Sequence, residues 1–233
     1  TLFPYTTLFR SIAGNIEKSE TVALTQKYFG ELQGNHLVKK SITEPEQTVA
    51  KEKTVYEDVP LNLVYIAFKM CNRLHPDYFT ADVTSDILSN GSSARLHQKL
   101  VKELKAFVEI DAYITASDDV GMFVFEGKVS DGFDVQKAVD LIWIEIEKIK
   151  QETVNENELL KCKNKMLTSM HFSEASLLNR AISLAYYESL GNANMINEED
   201  KNYEKVSTHH IQEFAKKTFT KERSNTLYYL KKQ

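Results

Sequence analysis

The chain has 233 residues, 42% of them hydrophobic, and its 29 basic against 33 acidic side chains leave a formal net charge of −4. That balance fits a packed globular protein, argues against disorder as the main state, and supplies no global positive field for nucleic acid or anionic lipid. Cys71 and Cys162, the two cysteines, lie in apolar-periodic segments and read as buried free thiols, which excludes a disulfide framework or a thiolate metal cluster.

In chain order, "TLFPYTTLFRS" (Thr1 to Ser11) resembles one frame of a common sequencing-adapter oligonucleotide and is set aside as a tag would be. Protein upstream of Ile12 is therefore expected to be missing. "IAGNI" reads as the end of a strand entering a helix that carries Val22, Leu24, Tyr28 and Phe29 and stops at Gly30. Residues 31–47 are polar, with Gly34, Asn35 and Pro45, and read as a linker or exposed crossing loop. "TVAKEKTVYED" and "NLVYIAFKM" predict two strands separated by Pro60, the second apolar throughout and so central in a sheet. A helix is predicted to start near Pro76, to turn Phe79, Val83, Ile87 and Leu88 toward a core, and to end at Gly91.

The stretch "SNGSSARLHQKLVKELKAF" then predicts a small polar loop and a helix bearing Arg95, Lys99, Lys102 and Lys105. Its single glycine lacks the G-K-[ST] ending of a P-loop, and Glu103 interrupts the basic stripe, so a solvated helix face is the expected reading. Two strands follow as a hairpin. In the first, Val108, Ile110, Ala112 and Ile114 alternate with Glu109, Asp111 and Tyr113; in the second, Phe123 and Phe125 share a face. Val135, Ala138, Val139, Ile142, Ile146 and Ile149 hold helical spacing, with Glu145, Glu147, Lys148 and Lys150 expected toward water. Further helices are predicted over 156–172, 175–190 and 208–219, the last capped by Ser207 or Thr208, and "NTLYYLKK" closes the chain as a strand. The fold class expected from this interleaving is α+β with a mostly antiparallel sheet.

Chemistry is sparse. No two of the six histidines stand one helical turn apart as a zinc helix requires, and "HFSEA" at His171 has alanine where an inverted zinc motif would carry its second histidine. There is no G-x-S-x-G elbow, and no apolar run approaches the ~20 residues of a membrane-crossing helix.

The order of "IAGNI…KYFGEL", "LVYIAFKM…HPDYFTADVTSDILSNGSSARLHQKLVKE", "DAYIT…GMFVFEGKV" and "NELLKCKNKM" resembles the C-terminal half of insulinase/pitrilysin-type zinc metallopeptidases, including bacterial relatives of mitochondrial processing peptidase. The resemblance covers nearly everything from Ile12 onward. It implies a protease of two similar α+β halves, with zinc held by an H-x-x-E-H helix and a downstream glutamate of the other, N-terminal half. This half would bind no metal and would help wall a chamber for peptides or unfolded segments. Residues 12–35 would then be the tail of the first half and the joint, and 36–233 the C-terminal domain. Some members carry an arginine and, seven residues on, a tyrosine that steady the peptide carbonyl as charge develops. Here Val101 and Val108 occupy those positions. The resemblance leaves Arg95, Lys102 and Tyr113 as substrate-facing candidates, and a homo- or heterodimer partner as the source of the arginine and tyrosine. An inactive scaffold subunit is the alternative. No nucleic-acid or membrane partner is implied, the compartment is left open between cytoplasm and periplasm, and the piece alone is expected to be inactive and to self-associate.

Overall fold

The computed structural model describes residues 11–32, 44–115 and 118–232. By its contacts the chain divides into two units, Glu46–Leu167 with Glu199–Gln233, and Thr1–Pro45 with Thr168–Glu198. The elements are α1 (Lys18–Phe29), β1 (Lys51–Glu57), β2 (Leu63–Met70), α2 (Asp77–Ser89), a π-helical stretch His97–Glu103, β3 (Phe107–Ile114), β4 (Gly121–Val129), α3 (Val135–Gln151), α4 (Glu156–Glu174), α5 (Leu177–Ser189), a 3-10 stretch Ala193–Glu198, α6 (Glu199–Glu204), α7 (Thr208–Thr218), a 3-10 turn Lys221–Arg223 and β5 (Ser224–Lys231).

In the larger unit the strands form one sheet in the order β1-β5-β2-β4-β3. The apolar β2 is central, as its uninterrupted run predicts. β1 pairs with β5 in parallel, and the β5–β2, β2–β4 and β4–β3 pairings are antiparallel. Alternation along the strands sends Val64, Ile66, Phe68, Phe123, Phe125 and Ile110 to one buried face. Phe214 of α7 and Trp143 of α3 meet rings of that face, so these helices cover it. Phe219, fully buried at the end of α7, touches Phe68, Phe123, Phe125 and Phe214 with ring centroids 4.8 to 5.7 Å apart. The opposite face carries Tyr65, Glu126, Lys128, Asp111 and Tyr113 and is only partly covered.

α7 starts where the cap signal predicts. The Ser207 hydroxyl accepts the His210 N–H, and His210 Nδ1 accepts the Ser207 N–H in return, closing a capping box. Close strand packing also explains Gly127. A Cβ there would lie 2.4 Å from Cε1 of the buried Phe107 ring, so Gly127→Ala is expected to cost about 1–3 kcal/mol by overpacking. Thermal unfolding of that variant should show a clearly lowered midpoint, and an unchanged one would refute the contact.

Four sequence expectations need correction. "IAGNI" forms no strand. Val108 does not join Ile110 in the core, because a bulge between Phe107 and Glu109 turns it outward, 55% exposed, and Phe107 takes the inner place. Glu145 does not face water: it lies on the stripe of Ile142, Ile146 and Ile149, is buried, and accepts from Lys148 Nζ at 2.7 Å. The basic segment after Gly91 continues as a π-helix, and Lys105 then adopts a left-handed φ of 51° before β3 begins. Ala193–Glu198 and α6 carry no clear signal in the sequence, and most of the predicted linker falls outside the described residues.

In the smaller unit α1 has no buried residue, leaving Val22, Leu24, Tyr28 and Phe29 exposed. α5 is capped by Ser176, which accepts from the Asn179 N–H, and Leu177, Leu178 and Ile182 along it are also exposed. None of the helices is long and apolar enough to cross a membrane among the described residues.

Candidate functional site

A cleft of about 470 Å³ runs between α2 and strands β3 and β4. Helical spacing puts Asp82, Ser85, Asp86 and Ser89 on one wall, and strand alternation puts Glu109, Asp111, Tyr113, Glu126 and Lys128 on the other. The β3–β4 register sets Glu109 opposite Lys128 and Asp111 opposite Glu126. Lys128 is ion-paired with Glu109. The hydroxyls of Tyr65 and Tyr113 donate to the two oxygens of Glu126, each at 3.1 Å.

The cleft as a whole is electronegative, with five carboxyl side chains against one lysine. Burial raises the Asp111 carboxyl above its usual range, and the neighbouring Glu109 and Glu126 carboxylates add to the shift. Asp86 is also raised by burial, opposed by the Asn90 amide that donates to it at 2.8 Å. Asp82 is pushed up to about 6, chiefly by burial, while the Tyr203 hydroxyl donating at 2.5 Å holds it down. Beside it, the buried Arg73 pairs with Glu199 and stacks over Tyr78 at 4.2 Å.

The three substrate-facing candidates do not converge. Arg95 is held by Glu158 through two hydrogen bonds, Nε to Oε1 at 2.9 Å and an Nη nitrogen to Oε2 at 2.7 Å, so it ties the chain before the π-helix to α4. Lys102 is exposed on the π-helix and does not line the cleft. Tyr113 does line it. Val101 is half-buried and Val108 exposed. The cleft acids escaped the sequence reading, although pairing "VEIDAYI" with "FEGKV" as a hairpin already places Asp111 and Glu126 on one face.

Among the described residues no three His, Cys, Asp or Glu side chains are placed to share a metal ion, so the donor set does not fit zinc. The Cys71 and Cys162 thiols are pushed up to about 11 and about 12 by burial, which keeps both protonated near neutrality. Cys162 is buried as expected, Cys71 only partly.

An α+β unit whose sheet is covered by helices on one face, with a cleft beside its edge strand, is the arrangement defined so far. The chain belongs to the family described as the peptidase M16 inactive domain, which matches residues 10–166 and comprises C-terminal halves of insulinase-type peptidases. Similar solved structures carry the same fold. A Helicobacter pylori protease superposes with a TM-score of 0.84 at 21% identity, covering 95% of this chain and 54% of that one. A peptidase M16 inactive domain from Pseudomonas fluorescens gives 0.80 at 15% identity, covering 94% and 52%. A chain of complex III2 from Candida albicans gives 0.75 at 18%, covering 93% and 53%. The chain thus spans about half the length of each of these.

Proposed function

We propose that this chain is the non-zinc-binding half of a zinc metalloendopeptidase, walling the substrate chamber while a half bearing H-x-x-E-H cleaves peptides or unfolded segments. The observation that carries this reading is the match of residues 10–166 to an inactive peptidase domain, joined to a donor set that does not fit zinc among the described residues. Zinc in the other half would supply the activated water; this half would supply shape, charge and exclusion of solvent. The exposed Phe172, Leu177, Leu178 and Ile182 support a further polypeptide packing on this chain. With Val101 and Val108 unable to donate hydrogen bonds, the arginine and tyrosine that steady the peptide carbonyl would come from a partner subunit.

The test is reconstitution. Alone, the chain should not cleave an unfolded casein substrate. Mixed with a half that bears H-x-x-E-H, it should give chelator-sensitive cleavage that neither part shows by itself. A mixture that stays inactive would leave the second reading, an inactive scaffold subunit.

A further inference from the structure

Asn90 and Gly91 form the one Asn-Gly pair of the sequence, and they close α2 at the rim of the cleft. Asparagine followed by glycine is thermolabile, because the next amide nitrogen, unshielded by a Cβ, can attack the side-chain amide. Both residues are exposed, so water reaches them. The attack needs the Gly91 nitrogen beside Asn90 Cγ, and the fold sets it elsewhere.

Lys165 of α4 is the restraint. Its ammonium donates to the side-chain oxygen Oδ1 of Asn90 at 2.5 Å and to the Asn90 backbone carbonyl at 3.2 Å. One cation thus gathers both oxygens to the same side, in keeping with the Asn90 ψ of 93°. In a planar peptide unit the nitrogen lies opposite the oxygen about the Cα–C bond, so the Gly91 nitrogen points away from Cγ. Two further bonds hold the reacting groups: the Gly91 N–H donates to the Ser89 carbonyl at 2.9 Å, and Asn90 Nδ2 donates to Asp86 at 2.8 Å. Lys165 is itself placed by the preceding turn of α4, where the Sγ of the buried Cys162 lies 3.9 Å from the Val83 carbonyl and from the Asp86 carboxyl of α2.

We propose that Asn90 is a deamidation site held shut by Lys165, so that the chain acquires a new carboxylate at the cleft rim when α4 releases the end of α2. In the reaction the Gly91 nitrogen gives its proton to hydroxide and bonds to Asn90 Cγ. The Cγ–Nδ2 bond breaks, and Nδ2 leaves as ammonia with a proton taken from water, which closes a five-membered imide. Water then adds to one of the two imide carbonyls and breaks its bond to nitrogen, giving aspartate or isoaspartate at position 90. Nothing is oxidised or reduced. The exchange removes the amide that donates to Asp86, sets a carboxylate against it, and adds one carboxyl to those already lining the cleft. The amide now holds the Asp86 carboxyl down against the effect of burial, so its loss raises that group further.

The test follows the 233-residue chain at mildly alkaline pH, reading the amide-to-carboxyl mass change on the peptide that holds Asn90, and isoaspartate by enzymatic methylation. Chain unfolded in guanidinium gives the open reference. Folded wild type should react at least ~tenfold more slowly than that reference, about the factor that a hydrogen bond to a charged group contributes. Lys165→Met keeps most of the stem and loses the donor, and it should react ~tenfold faster than wild type while its circular dichroism stays native. Lys161→Met is the control. Lys161 donates to the Ser93 hydroxyl in the same loop, and its loss should change the rate by less than ~twofold. Equal rates for folded and unfolded wild type, or for Lys165→Met and wild type, overturn the gate, as does equal acceleration by Lys161→Met. An Asn90 that stays intact even in guanidinium overturns the site itself. The folded-against-unfolded comparison of wild type stands whether or not Lys165→Met folds.

Discussion

Replacing Phe219 by alanine should remove about 3–5 kcal/mol of stability, the range seen when a buried phenylalanine is truncated. Phe219 is fully buried, and four other phenylalanine rings pack against it, from β2, β4 and α7. Its neighbours cannot close the cavity easily. Phe68 is held at right angles to Trp143 on the far side, and Phe123 and Phe125 are fixed two apart on the central part of the sheet. Both the transfer loss and the residual void therefore apply. Urea unfolding followed by near-ultraviolet dichroism should show a much lower midpoint for Phe219→Ala than for Phe172→Ala, whose ring is 78% exposed and whose loss should be worth under about 0.5 kcal/mol. Equal midpoints would mean that the aromatic cluster does not hold helices and sheet together.

That cluster is largely legible in the sequence. "NLVYIAFKM" declares a central strand by its unbroken apolar run, and Phe123 with Phe125 declare a face by their spacing. What escapes is whatever depends on departures from ideal periods. The bulge at Phe107/Glu109 reverses Val108, and a period-2 count cannot see it. The π-helix His97–Glu103 shifts every later side chain relative to an α-helical count, so matching Val101 and Val108 to a family pattern gives sequence positions without directions. Glu145 is hidden for another reason. Its charge argues for water, whereas its place three residues after Ile142 and one before Ile146 is one that a 3.6-residue period buries. Arg95 shows the converse: a cation within a basic stripe has its partner, Glu158, in a helix 63 residues away, a pairing no local pattern contains.

Asp82→Asn should stabilise the protein at pH 7.5 by about 2–3 kcal/mol and leave it little changed at pH 4. In the folded chain the Asp82 carboxyl is pushed up from 3.8 to about 6, with burial the largest cause and Asp86 and Glu199 adding repulsion, against the Tyr203 hydroxyl and the Arg73 guanidinium. The folded state thus holds this proton to higher pH than the unfolded chain does. Its contribution is fully present below about pH 4 and is lost as pH rises through about 6, and a rise of that size in the carboxyl's proton affinity corresponds to about 3 kcal/mol. Asparagine removes the charge while keeping an acceptor for the Tyr203 hydroxyl, so the variant should lose the fall in stability between pH 4 and 6. Tyr203→Phe should act in the opposite sense. It strips the carboxylate of its donor at 2.5 Å, raises the Asp82 carboxyl further, and carries that same fall on to higher pH. Denaturant midpoints of the three proteins across pH 4 to 8 give the comparison. Parallel curves for wild type and Asp82→Asn would show that Asp82 is ionised in the fold at no cost, and that the cleft beneath α2 is better solvated than its packing against Tyr203 indicates.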